Sequence, residues 1–163
     1  MPAPERFTSI ADYDAFQSEP SAGVIECLSK VGGTLLVLGA GGKMGNRISK
    51  PLLETNKYQR RFVEKSEAGQ ARIREAGLQV MDLDEALKGT DVVIFTTPDA
   101  LVRQISDEVV PKLDPGTKIL FLDPAAIAAS RVKMREDISC FVCHPTHPPV
   151  FSLLGETDAA ARR

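Results

Sequence analysis

Tryptophan is absent from this 163-residue chain, tyrosine and histidine occur twice each, and cysteine three times. Three cysteines cannot all pair within one chain. The N-terminus, MPAPERFTSIADYDAF, is polar and lacks the apolar core of a signal peptide. Free thiols in a reducing, cytoplasmic setting are therefore expected rather than a disulfide framework. No apolar run reaches the roughly 18 residues of a membrane span, so no membrane partner is expected. Twenty basic against twenty-two acidic side chains leave a net charge of −2 and no basic stripe. With so few aromatics as well, nucleic acid is not an expected partner. Repeats and low-complexity stretches are also missing. What remains is an ordinary globular balance, 43% hydrophobic and 26% charged, in a chain long enough for one core without disulfides or metal.

The pattern from residue 33 onward alternates between strands and helices. Before it, residues 1–32 form a polar lead-in, in which Ala22, Val24, Ile25, Leu28 and Val31 recur at helical spacing behind a Ser21 cap. Leu35–Leu38 then reads as a buried strand and 43–55 as a helix, with Pro51 an irregularity inside it. Arg61–Glu64 is a second strand, a helix runs from about Ser66 to Ala76, and Leu78–Met81 is a short third strand before a small helix at Asp84–Lys88. Val92–Phe95 is the fourth strand. The helix after it carries Leu101, Val102, Ile105 and Val109 on one face. Ile119–Leu122 is the fifth strand, 125–134 is ambiguous, and Ile138–Val142 is the sixth. Strands this rich in β-branched residues and leucine, alternating with helices, predict an α/β fold with a doubly wound, mainly parallel sheet of about six strands, of Rossmann type. The domain reading is a helical lead-in at 1–32, an NAD(P)-binding Rossmann domain at 33–151, and at 152–163 the start of a C-terminal helical domain, expected to be missing or truncated.

Chemistry concentrates first in the glycine turn. Gly39-Ala40-Gly41-Gly42-Lys43-Met44-Gly45 follows a strand and opens a helix, as a dinucleotide fingerprint requires. Met44 stands where the commonest spacing places its third glycine. Two variants fit instead: Gly39, Gly42 and Gly45, or Gly39, Gly41 and Gly45. Glycines there let the backbone approach a pyrophosphate, and the helix N-terminus offers it unpaired N–H groups. Met44 can pad a nicotinamide ring. Lys43 either reaches a phosphate or stays solvated. Glu64, at the end of the second strand, is placed to accept both ribose hydroxyls of NAD and to repel a 2′-phosphate, or is a solvated strand-end charge. Lys65 and Ser66 beside it keep NADP open. Thr96, Thr97 and Pro98 end the fourth strand, where they border a cofactor, cap the next helix, or both.

The second concentration is CFVCHPTHPP at 140–149, which holds both histidines. Cys140, Cys143, His144 and His147 suggest a zinc set. A strand over Ile138–Cys143 would point the two thiols to opposite faces, so no metal site is expected. Acid–base work is the stronger reading. His144 follows a strand at its carboxyl end, and an imidazole titrates where it can take a hydroxyl proton. His147 is placed to bind substrate oxygens, on a loop stiffened by Pro145, Pro148 and Pro149. Two loop histidines without a role are the competing reading. Asp123, after the fifth strand, contacts substrate or nicotinamide, or caps the following helix.

From Gly33 to Phe151, the segments GAGGKMG, FVEKSEAG, DVVIFTTPDALV, PKLDPGTKILFLDPAA and FVCHPTHPPVF together resemble the NAD-binding domain of the D-apionate oxidoisomerase family. Its members are phosphogluconate-dehydrogenase-like proteins, distantly similar to prephenate and 3-hydroxyacid dehydrogenases. His-Pro-x-His-Pro-Pro is the most specific part. The resemblance implies a Rossmann domain followed by a helical domain that closes over a sugar acid and dimerises, and NAD-linked oxidation of a hydroxyl. It places Gly39, Gly41, Gly42, Lys43, Met44 and Gly45 on the cofactor, Glu64 on its ribose, and Asp123, His144 and His147 where substrate and nicotinamide meet. Residues 1–32 lie outside the resemblance. Two further readings compete: a dihydrodipicolinate-reductase-like enzyme, which shares G-x-x-G-(Arg/Lys)-Met-Gly, and a stand-alone NAD(H)-binding regulatory module without chemistry.

Overall fold

In the computed structural model, the structure describes residues 8, 9, 12, 15, 16, 19–30, 32–42, 44, 45, 48, 52 and 58–144. Lys43, Pro51 and His147, with the rest of 145–163, lie outside the described residues. Helix α1 is Ala22–Leu28, started by Ser21, whose hydroxyl accepts the Val24 N–H. There follow strand β1 (Gly33–Leu38), strand β2 (Tyr58–Val63), helix α2 (Glu67–Glu75), helix α3 (Leu83–Leu87) and strand β3 (Val92–Phe95). Helix α4 (Asp99–Val109), continued by a 3-10 turn at Val110–Lys112, strand β4 (Lys118–Phe121), helix α5 (Ala125–Ala128) and strand β5 (Ser139–Val142) complete the described elements. Between β1 and β2, Met44, Gly45, Ile48 and Leu52 are helical.

All strand pairings are parallel, in the order β2-β1-β3-β4-β5. The expected third strand at Leu78–Met81 is reduced to one bridge, Val80 to Phe62, supported by the Met81 N–H on the Phe62 carbonyl at 2.9 Å. Asp82 ends it, because its carboxylate caps α3 by accepting the Asp84 and Glu85 N–H groups. With Val80 counted beside β2, the order is that of the doubly wound dinucleotide fold, and the chain reverses direction across the sheet between β1 and β3.

Alternation along β1 builds a core on each face. Leu36 and Leu38 pack with Phe95, Phe121, Val102 of α4 and Leu87 of α3. Leu35 and Val37 pack with Phe62, Leu52 of the first crossover and Ile73 of α2. The period of two in the strand thus assigns α3, α4 and α5 to one face and α2 with the first crossover to the other. β5 departs from this pattern. As the sheet's edge it leaves Phe141 55% and Val142 42% exposed. Among the described residues, no helix is long and apolar enough to cross a membrane.

Candidate functional site

Five parallel strands present their carboxyl ends to one edge, and the crevice there opens where the strand order reverses. The glycine turn leaves β1 at that point. Gly39 has φ +78° and donates its N–H to the Val63 carbonyl at 2.9 Å, while its own carbonyl accepts the Gly42 N–H at 3.0 Å. The two spacing variants now separate. A Cβ on Gly41 would lie 2.4 Å from the Gly69 backbone, and one on Gly45 would lie 2.4 Å from the Gly39 carbonyl oxygen. At Gly42 the nearest atom is 3.2 Å away. Sterically, Gly39, Gly41 and Gly45 are the required set and Gly42 is the tolerant one.

Glu64, one residue past β2, is bound to this turn. Its Oε2 accepts the Gly41 N–H at 3.1 Å, and its Oε1 accepts the Ser66 N–H and O–H, each at 2.9 Å. Ser66 Oγ in turn caps α2 by accepting the Gly69 N–H. From α2, Arg72 Nε donates to the Gly41 carbonyl at 2.8 Å. Both polar groups of one glycine are therefore held, one by a carboxylate and one by a guanidinium. Arg72 was not visible as a site residue in the sequence, where a helix arginine reads as solvated. Lys65 is paired with Glu108 at 3.0 Å.

Two cavities share the crevice. The first, about 530 Å³, is lined by polar Glu64, Ser66 and Arg72 and by apolar Leu83, Leu101 and Ile105. The second, about 440 Å³, is lined by Phe121, Leu122, Asp123, Cys143 and His144. Met44, Thr96, Thr97 and Asp99 line both. Met44 is 43% exposed there, an apolar side chain presented to a ligand-sized space. Pro98 takes the N-cap position of α4 without a side-chain cap bond, and also lines the first cavity.

His144 stands at the far end. Its Nδ1 lies 2.8 Å from the Leu122 carbonyl oxygen. A carbonyl only accepts, so Nδ1 carries the hydrogen and Nε2 is the proton-accepting nitrogen of the neutral ring. Asp123 Oδ2 is 3.9 Å from the same Nδ1, and its Oδ1 accepts the Ala125 N–H at 2.7 Å. Asp123 therefore holds the first N–H of α5 with one carboxylate oxygen and places the other near the imidazole. Cys143 is exposed; Cys140 is half-buried, and burial pushes its thiol above the usual cysteine range. Among the described residues, no group of three or more His, Cys, Asp or Glu side chains is placed to hold a metal ion.

Residues 37–151 match the family model of the acetohydroxy acid isomeroreductase NADPH-binding domain. The chain belongs to this family. The chain is also similar to D-apionate oxidoisomerase from Rhizobium rhizogenes, 41% identical over 130 residues, which is 79% of this chain and 46% of that protein. The D-apionate oxidoisomerase of Cupriavidus necator is 42% identical over 130 residues, again 79% and 46% of the two chains. A solved semialdehyde dehydrogenase NAD-binding protein from Cupriavidus necator, in complex with calcium and NAD, aligns with a TM-score of 0.67 at 41% identity, covering 82% of this chain and 48% of that one. The chain spans about half the length of the curated relatives it matches.

The residues present suit the dinucleotide of such a domain. Gly39, Gly41 and Gly45 form a turn that a Cβ would fill. Glu64 sits at the wall of the first cavity. Thr97 Oγ1, where the two cavities meet, is buried and has no hydrogen-bond partner among the described residues. A turn, an acidic wall and an unanswered hydroxyl are what a cofactor crossing the crevice would engage.

Proposed function

We propose that this chain is the cofactor-binding part of an NAD-dependent oxidoreductase that oxidises a hydroxyl of a small sugar acid or hydroxy acid, with His144 as the general base. In this reading the adenosine half lies in the cavity walled by Glu64, and the nicotinamide half lies in the cavity lined by His144. A bound nicotinamide supplies the hydride acceptor. The protein's own part is positioning and proton transfer. His144 Nε2 takes the proton of the substrate hydroxyl. The observation that carries the reading is the 2.8 Å bond from His144 Nδ1 to the Leu122 carbonyl, which fixes the tautomer at the mouth of the cavity.

NAD is favoured over NADP because Glu64 places a carboxylate where a 2′-phosphate would stand, while Lys65 is engaged by Glu108 and Ser66 by Glu64 itself. Lys43 and His147 belong to the proposed cofactor and substrate contacts by position in the sequence. The working domain plan is a lead-in at 1–32, the cofactor domain at 33–151, and a helical substrate domain beginning near 152 that pairs two copies in the cytoplasm. Sugar-acid chemistry draws support from the relatives named D-apionate oxidoisomerase. The test is His144→Asn in the full-length protein. We expect the NADH dissociation constant to change less than about threefold while turnover falls on the order of 10²-fold or more. Unchanged turnover would remove His144 from the chemistry.

A further inference from the structure

The sheet has two edges, and the chain treats them differently. β2 carries Gln59, Arg60 and Arg61, and its outer side is met by Val80, bridged to Phe62. Charged residues and a covering segment are the usual protections of an edge strand. β5 has neither among the described residues. From Ile138 to Cys143 it reads ISCFVC, without charge, proline or glycine. Phe141 and Val142 are 55% and 42% exposed, and as neighbours on a strand they stand on opposite faces. Cys140 packs on the side of α3, α4 and α5, while Phe141, in register with Leu120, stands on the other. The main chain is open as well. The Ser139 N–H donates to the Thr117 carbonyl at 3.1 Å and the Cys143 N–H to the Phe121 carbonyl at 2.9 Å. Alternation along the strand therefore turns the N–H and C=O groups of Cys140 and Val142 away from β4.

Those outward groups match a second copy of the same strand. In an antiparallel pair centred on Phe141, Cys140 of one copy lies opposite Val142 of the other, and each such pair exchanges two hydrogen bonds. Phe141 then meets Phe141 of the second copy at a non-hydrogen-bonded position, the closer kind, where an aromatic pair adds to the ladder. A two-fold pair sets the strand against itself, and with no charge from 138 to 143 no like charges meet. The chain's own tail is a poorer occupant. Pro145, Pro148 and Pro149 stand directly after His144, and a proline has no N–H to give a ladder. We infer that β5 is an interface between two copies of this chain, joined as one sheet with five strands from each. Each copy offers one such edge, so the assembly closes at two. The pairing depends neither on the dinucleotide reading nor on any contact through a helical domain.

The experiment is sedimentation velocity of the 163-residue chain over a range of concentrations, together with disulfide trapping. The chain is expected to pass from monomer to dimer as its concentration rises. Phe141→Lys sets like charges face to face and should raise the dimer dissociation constant about tenfold or more. Because that side chain is exposed, the melting temperature of the dilute protein should stay within about 2 °C. For trapping, Phe141→Cys and Val142→Cys are made separately, with Cys27, Cys140 and Cys143 replaced by serine. In the pair centred on Phe141, two thiols at position 141 sit on Cα atoms about 4.5 Å apart, within disulfide reach. Two at position 142 are offset by about 7 Å along the strands, which is out of reach. Mild oxidation should therefore cross-link the first variant and not the second. A chain that stays monomeric at every concentration overturns the inference and leaves the edge to its own residues past 144 or to another partner. A dimer unaffected by Phe141→Lys, or equal trapping of both cysteine variants, overturns it too.

Discussion

Replacing Gly41 by alanine tests the physical core of the cofactor turn. The new Cβ would lie 2.4 Å from Gly69 Cα and from its carbonyl oxygen, and 2.6 Å from its carbonyl carbon. Ordinary contact begins near 3.4 Å, so turn and α2 must separate by roughly 1 Å. Both surfaces are main chain, and no side chain can rotate aside. The same gap is spanned by the Arg72 bond to the Gly41 carbonyl, which the separation stretches. Overpacking and a weakened charged hydrogen bond combine to about 2–4 kcal/mol, a fall in melting temperature of roughly 4–16 °C for a chain of this size. Gly42→Ala is the control. Its Cβ meets only the Gly39 carbonyl oxygen at 3.2 Å, and a change below about 2 °C is expected. Thermal melts by circular dichroism give the answer. Two variants melting within about 1 °C of each other would refute the argument that Gly41 exists for the approach of α2.

Two further outcomes follow from the crevice. Glu64→Gln removes the charge that opposes a 2′-phosphate, so the NADH-over-NADPH preference should fall by about tenfold or more in a competitive titration; an unchanged ratio would show that Glu64 does not discriminate. Cys143 is exposed and lines the cavity with His144, whereas Cys27 is exposed away from the residues lining either cavity, and Cys140 is half-buried with its thiol pushed up by burial. Iodoacetamide should therefore modify Cys140 slowest, and NADH should slow modification of Cys143 but not of Cys27. Equal protection of Cys27 and Cys143, or none at Cys143, would contradict the placement of the nicotinamide half.

Much of this was legible in the sequence because it is local. The run Leu35–Leu38 before a glycine cluster, and Val92–Phe95 before Thr-Thr-Pro, announce buried strands whose carboxyl ends carry polar turns. Ser21 precedes a helix and caps it as expected. What the sequence hid depends on partners far along the chain. β2 begins at Tyr58, earlier than its pattern suggests, because Gln59 and Arg60, before Arg61, look like loop residues. Two of those charges are answered by carbonyls from other segments, Arg60 at Leu52 and Arg61 at Ala86. The choice between the two glycine spacings turns on Gly69, which lies 28 positions after Gly41. Which of the Thr96 and Thr97 hydroxyls is bonded depends on which one faces Leu38. Spacing within a segment is written in the sequence, but contact between segments is not.

The central claim is that the crevice at the carboxyl ends of β1 and β3 is a dinucleotide site. Calorimetric titration of NADH and NADPH into the unaltered chain tests it most directly. The account predicts saturable binding of one NADH per chain, tighter than NADPH. Absence of binding by either nucleotide would contradict it.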